Sequence, residues 1–139
     1  MVGGSTIDQI LEEMRIVAVV GLSDKPWRPS FGVASYLRDA GLRIVPVNPR
    51  LAGTVVLEQT VYGSLLDIPH GIRLDIVDIF RRSELVPPVV DEAIARGDAR
   101  TIWMQEGVMN EAAAVRARAA GLTVVMDSCL AVQHRLRRR

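Results

Sequence analysis

The apolar residues of this chain fall into short dense runs, separated by longer segments in which they recur every three or four positions. Residues 16–22, IVAVVGL, are almost continuously apolar and β-branched, which suits a strand covered on both faces better than one with a wet face. Runs of the same kind occupy residues 43–47, 74–80, 100–104 and 122–126. Each is too short for a good helix, so five strands are expected. Between them, residues 31–40, about 86–96 and 111–120 read as helices that stop at Gly41, Gly97 and Gly121, since glycine past a helix end takes the left-handed conformation at no steric cost. The likeness of AGLRIV at 40–45 to AGLTVV at 120–125 is this helix-stop, strand-start unit recurring. An opening helix is signalled by Ser5 and Thr6 as caps, with Asp8 and Gln9 completing either capping box, and by the stripe Ile7, Ile10, Leu11 and Met14. Residues 51–71 fit the alternation least well. They read as a loop-rich passage with a short edge strand near 54–57, closed by Pro69 and Gly71.

Strands alternating with helices cross over in the right-handed sense and place helices on both faces of a parallel sheet. The expected fold is therefore α/β: one doubly wound, Rossmann-like parallel sheet of about five strands, since a barrel needs more units. A length of 139 residues with 49% hydrophobic content suits a single domain over 1–139, stable without metal or disulfide. Cys129 is the single cysteine, and the first 14 residues carry neither the basic stretch nor the apolar run of a secretion signal, so a cytoplasmic protein is expected. The longest apolar run is about a third of the ~20 residues a membrane span requires, and no membrane association is expected. A net charge of +1 gives no general attraction to nucleic acid, and the basic tail at 134–139 reads as a solvated helix end.

In open α/β sheets, ligands sit outside the carboxyl ends of the strands, near the first strand-to-helix turn. Here that turn begins with Gly21, which lets backbone approach a ligand, runs through Ser23, Lys25 and Arg28, and ends at Ser30, which reads as the N-cap of the next helix. Backbone N–H groups, hydroxyls and the positive end of a helix all favour phosphate, and Lys25 and Arg28 add mobile positive charge. The spacing G-x-G-x-x-G of dinucleotide folds is absent. The second strand ends in Asn48-Pro49-Arg50, with no acid to accept a ribose 2′-hydroxyl. Arg50 in that place suits a ribose phosphate, either that of NADP or the 3′-phosphate of coenzyme A, or else it is a solvated loop residue. Asn48-Pro49 is an ordinary turn that is also placed to line an adenine.

The set Val20-Gly21-Leu22-Ser23, Arg28-Pro29-Ser30, Pro46-Val47-Asn48-Pro49, Tyr62-Gly63-Ser64-Leu65, Asp78-Ile79-Phe80-Arg81-Arg82, Gln105-Glu106-Gly107 and Met126-Asp127-Ser128-Cys129 resembles the small stand-alone CoA-binding proteins, relatives of the CoA-binding domain of the succinyl-CoA synthetase α subunit. The likeness runs from about residue 7 to 134. It implies a Rossmann-like domain whose loop from Gly21 to Ser30 takes the CoA pyrophosphate, with Asn48, Pro49 and Arg50 by the adenosine end. Phe80 and Arg81, and more loosely Gln105 and Glu106, would flank the pantetheine arm. The synthetases carry a phosphorylated histidine in a further domain, and neither His70 nor His134 matches it. The resemblance therefore implies a binder of CoA or an acyl-CoA, non-catalytic or regulatory, rather than an enzyme. The rival reading is an NADP-binding oxidoreductase or redox sensor.

No catalytic triad and no metal-ligand spacing is evident. Glu106 at a strand end reads as a solvated carboxylate, with a general base as the alternative. Trp103 fits a buried strand; Trp27 either shields a ligand or packs on the domain. Cys129, inside a terminal helix with Leu130, Val132 and Leu136, reads as a small core hydrophobe. Its alternative is a rim thiol that exchanges with that of the cofactor.

Overall fold

The computed structural model describes residues 6–138. Helix α1 (Ile7–Glu13) is followed by β1 (Ile16–Val20), α2 (Pro29–Asp39), β2 (Arg43–Val47), a hairpin of β3 (Val55–Val56) and β4 (Gln59–Thr60), β5 (Leu74–Ile79), α3 (Val86–Arg96), β6 (Ala99–Met104), α4 (Glu111–Ala119), β7 (Thr123–Val125) and α5 (Leu130–Arg137). Thr6 caps α1 and forms the capping box with Gln9; the alternative cap, Ser5, lies outside the described residues.

The five long-range strands make one parallel sheet in the order β2-β1-β5-β6-β7. Helices α1, α2 and α5 cover one face through Ile10, Leu11, Met14, Ala34, Leu37 and Leu130. Helices α3 and α4 cover the other through Val86, Val90, Ala93, Ala113 and Ala117. The doubly wound sheet expected from the alternation is what forms, because each strand has apolar residues for both faces, as in Val17 and Val19 against Ala18 and Val20. Pro46 is tolerated in β2 because that strand lies at an edge of the sheet.

The short strand expected near 54–57 forms, but not at the edge of the main sheet. Val55 and Val56 pair with Thr60 and Gln59 in a separate antiparallel hairpin, and Leu57 and Glu58 both carry positive φ at its tip, as a two-residue hairpin turn of this hand requires. Backbone bonds tie Val61 to residues 53 and 54 and Tyr62 to β2, and residues 65–72 beyond them are held by side chains. The guanidinium of Arg96, its side chain wholly buried, donates to the carbonyls of Leu65 (2.8 Å), Ile68 (2.5 Å), Pro69 (3.3 Å) and Ile72 (2.9 Å) and pairs with Asp98 at 2.9 Å. Glu92 accepts from the Leu65 N–H at 3.0 Å.

The chain turns to opposite sides of β1 before and after β2, so β1 and β5 flank the point where the winding reverses. There Gly21 donates to the Val47 carbonyl and Phe80 to the Val20 carbonyl, both at 2.8 Å. Gly21 has φ +90, and a Cβ on it would stand 2.3 Å from the Phe80 carbonyl oxygen. Both conformation and space demand glycine.

One strand residue breaks the apolar pattern. Asp78 of β5, in register between Val19 and Trp103, is fully buried, and neither carboxylate oxygen has a hydrogen-bond partner among the described residues. Burial raises its pKa well above the ordinary 3.8, because an ion loses its hydration there with nothing in return.

Two outcomes follow for stability. Gly41→Ala, at φ +98 with open space around its Cβ, should cost about 1–2 kcal/mol for its left-handed backbone. Gly21→Ala should cost clearly more, read as a larger fall in urea midpoint. For Asp78, the unfolded chain releases its proton near pH 3.8 while the folded chain keeps it. The native state then binds more protons, so this group lowers stability as pH rises from 3.8 towards the folded value. Asp78→Asn removes that component. Urea unfolding at about pH 4 and about pH 7 should show the variant gaining on the wild type at the higher pH.

Candidate functional site

The carboxyl ends of β2, β1, β5 and β6, with the starts of α2 and α5, enclose an open groove of about 690 Å³. Its wall on the β1 side is the loop from Gly21 to Pro29, which side-chain hydroxyls fold upon itself. The Ser30 hydroxyl accepts from the Ser23 N–H, and the Ser23 hydroxyl accepts from the Lys25 N–H, each at 3.0 Å. Ser30 is therefore not the N-cap that the sequence suggests. Arg28 occupies that position, Pro29 opens α2 and Ser30 lies inside its first turn, because proline's fixed φ suits the first helical residue and starts the helix earlier. The buried Ser30 side chain instead ties the loop to the helix.

Gly21, Ser23, Lys25, Arg28, Ser30, Arg50, Phe80, Arg81 and Gln105 all line this groove. Asn48 and Pro49 are not among its lining residues. The Asn48 amide donates to the Leu22 carbonyl at 3.0 Å and its oxygen accepts from the Arg50 N–H at 2.9 Å, so Asn48 joins the ends of β1 and β2 and sets where Arg50 stands. Gln105 is nearly buried, and its side-chain oxygen accepts from the Leu130 N–H at 3.0 Å. It caps α5, whose first N–H groups would otherwise lack partners. Both are positioning residues in this geometry.

Sequence reading assigned no place here to Arg82, Val33, Gly107 and Val108. Arg82 and Gly107 lie within the motifs that carry the resemblance, and Val108 adjoins the second of them; Val33 arrives through the packing of α2. Cys129 is a correction: it is partly exposed and lines the groove. As N-cap of α5 it precedes the helix's buried side, which begins at Leu130. Trp103 is buried as expected and donates to the Ser128 carbonyl at 2.8 Å. Trp27 neither lines the groove nor packs on the domain; it is 75% exposed, with the Lys25 ammonium 5.6 Å from its ring centroid.

The groove is strongly cationic. Lys25, Arg28, Arg50, Arg81 and Arg82 line it against one carboxylate, Glu106. Arg82 approaches Glu84 at 4.0 Å; among the described residues, Lys25, Arg28, Arg50 and Arg81 form no ion pair. The Nε of Arg81 is buried and has no hydrogen-bond partner among the described residues. Neither histidine lines the groove. His70 is exposed in a turn, and His134 on α5 has its Nδ1 2.9 Å from the Tyr36 hydroxyl. Burial, helped by Arg138, lowers the His134 pKa from its ordinary 6.5. Among the described residues, no set of His, Cys, Asp and Glu converges as a metal site, and no helix is long and apolar enough to cross a membrane.

Comparison with known proteins agrees with this architecture. A curated relative, the uncharacterized protein YneT of Bacillus subtilis (strain 168), is 41% identical over 128 residues, which are 92% of this chain and 91% of that protein. A solved Thermus thermophilus protein, known as cell-free ID.343, superposes with a TM-score of 0.88 at 32% identity, covering 94% of this chain and 95% of its own. The ADP-forming acetate–CoA ligase II of Archaeoglobus fulgidus is 31% identical over 97 residues, 68% of this chain but only 14% of the ligase. The pattern that defines the CoA binding domain matches residues 15–135, nearly the whole of the sheet and its helices, and the chain belongs to that family.

Proposed function

We propose that this domain binds coenzyme A or an acyl-CoA, with its phosphates against the Gly21 to Ser30 loop, and that it acts as a binding or regulatory protein rather than as an enzyme. The observation that carries the reading is the groove at the point where the winding reverses, with four basic side chains that form no ion pair among the described residues. Such a surplus suits a ligand with several phosphate charges, because charge-assisted hydrogen bonds to them are the stronger kind. Family membership supports CoA as that ligand. Arg50, fixed by Asn48 beside the end of β2, then meets the ribose 3′-phosphate. Phe80 and Arg81 flank the pantetheine arm on its way to β6 and Cys129. The binding role is supported by the placement of the histidines: His134 lies on α5 beside Tyr36, outside the groove, and His70 is exposed in its turn.

In thermal unfolding, CoA should raise the midpoint more than NAD or NADP at equal concentration, since a ligand that binds the native state stabilises it by mass action. Calorimetry should find dephospho-CoA weaker than CoA in the wild type. Arg50→Ala should narrow that difference by about 1 kcal/mol, roughly fivefold, a magnitude suited to an exposed arginine. An unchanged preference removes Arg50 from the site, and equal stabilisation by NADP removes CoA as the ligand.

Cys129 offers an independent readout because it lines the groove. A maleimide should label it in the folded protein, and saturating CoA should slow the labelling. CoA disulfide should add one CoA by exchange, the Cys129 thiolate attacking the disulfide and CoA thiolate leaving. Intact mass should show no such adduct on Cys129→Ser. Labelling only after denaturation would return Cys129 to the core. Incubation with labelled ATP should leave the protein unlabelled, and stable phosphorylation of His70 or His134 would overturn the non-enzymatic part of the reading.

A further inference from the structure

The charges in the groove are ordered by the sheet. Across the strand order β2-β1-β5-β6, the side chains that line it run from Arg50 after β2, through Lys25 and Arg28 after β1, to Arg81 and Arg82 after β5. After β6 they change sign at Glu106, followed by the uncharged Gly107 and Val108 and, at the start of α5, Cys129. Among the described residues, the groove is thus cationic over three strands and carries its one carboxylate at the far end.

Glu106 is exposed, and among the described residues it forms no ion pair. The turn that carries it is held on both sides. Val108 N–H donates to the Gln105 carbonyl at 2.8 Å, Gly107 N–H to the Asp127 carboxylate at 2.7 Å, and Asp127 N–H to the Val108 carbonyl at 3.2 Å. Asp127 takes φ +56 to make this contact, a left-handed conformation rare outside glycine. A mobile surface acid would have no fixed relation to a ligand; this one stands on a clamped turn at the end of the groove away from the cations.

We propose that Glu106 selects among acyl groups, accepting CoA thioesters with neutral acyl chains and rejecting those that end in a carboxylate. The inference rests on the CoA reading, in which phosphates occupy the cationic end and the thiol end therefore lies towards β6. A second carboxylate placed there meets Glu106, and an unpaired like charge facing the wrong ligand is an established route to specificity.

The test is calorimetric titration with CoA, butyryl-CoA and succinyl-CoA, the last two having acyl chains of the same length with a neutral or an anionic end. The readout is the ratio of butyryl-CoA to succinyl-CoA affinity, which cancels any change in binding of the shared CoA portion. Wild-type protein should prefer butyryl-CoA by about fivefold, modest because Glu106 is solvated, and the preference should shrink as salt is raised. Glu106→Gln should bring the ratio near one, and Glu106→Lys should invert it. A wild-type ratio of one, or a preference that survives in Glu106→Gln, overturns the selection by Glu106 while leaving CoA binding in place. Failure of CoA itself to bind overturns both.

Discussion

The Phe80 carbonyl stands where any side chain at position 21 would have to go, and much of the groove's form follows from that one exclusion. Because residue 21 has no Cβ, β1 can leave the sheet while still bonded to β2 through the Gly21 N–H, and β5 can lie close enough for Phe80 to donate to Val20. The three strand ends then converge at a single place, with the β1–α2 loop folding away above them. A wider separation would leave Arg50, the loop and Arg81 as three unrelated surface features. Held together, they line one groove.

Around that point the side chains divide their labour. Asn48, Ser30 and Gln105 bond to backbone: they join β1 to β2, the loop to α2, and β6 to α5. They fix the frame and leave the long cationic side chains to face the opening. Arginine and lysine carry flexible stems, so their charge adapts to a ligand while the frame beneath them stays put. The rigid parts of this site are polar and short, and the adaptable parts are charged and long.

The sheet was legible in the sequence because parallel strands buried on both faces cannot hide their composition, and the glycines after α2, α3 and α4 marked where each helix stopped. The groove was legible through its place in that order, which brings together residues from five separate turns. Single side-chain hydrogen bonds left less trace. Ser30 looked like a cap because serine commonly is one; the proline before it moved the helix start. Asn48 in an Asn-Pro turn and Gln105 at a strand end give no sign of which distant backbone group they will meet. Asp78 read as one polar letter in an apolar strand, and its complete burial emerges only once β1, β6 and the α5 side of the sheet close over it. Cys129 fell one residue short of the helix's buried side, a distinction that apolar patterning cannot make.

Arg96 ends α3, yet four of its hydrogen-bond acceptors belong to residues 65–72, a stretch with little regular structure of its own. Surface connections commonly open locally, at a small fraction of the free energy of global unfolding. Opening this one would strand a buried guanidinium with its acceptors gone, leaving Asp98 to satisfy it alone. The connection is thereby coupled to the fate of α3 and β6. What looks like a linker between the first half of the sheet and the second is bonded into the second half, so opening it carries a cost that an ordinary surface loop does not.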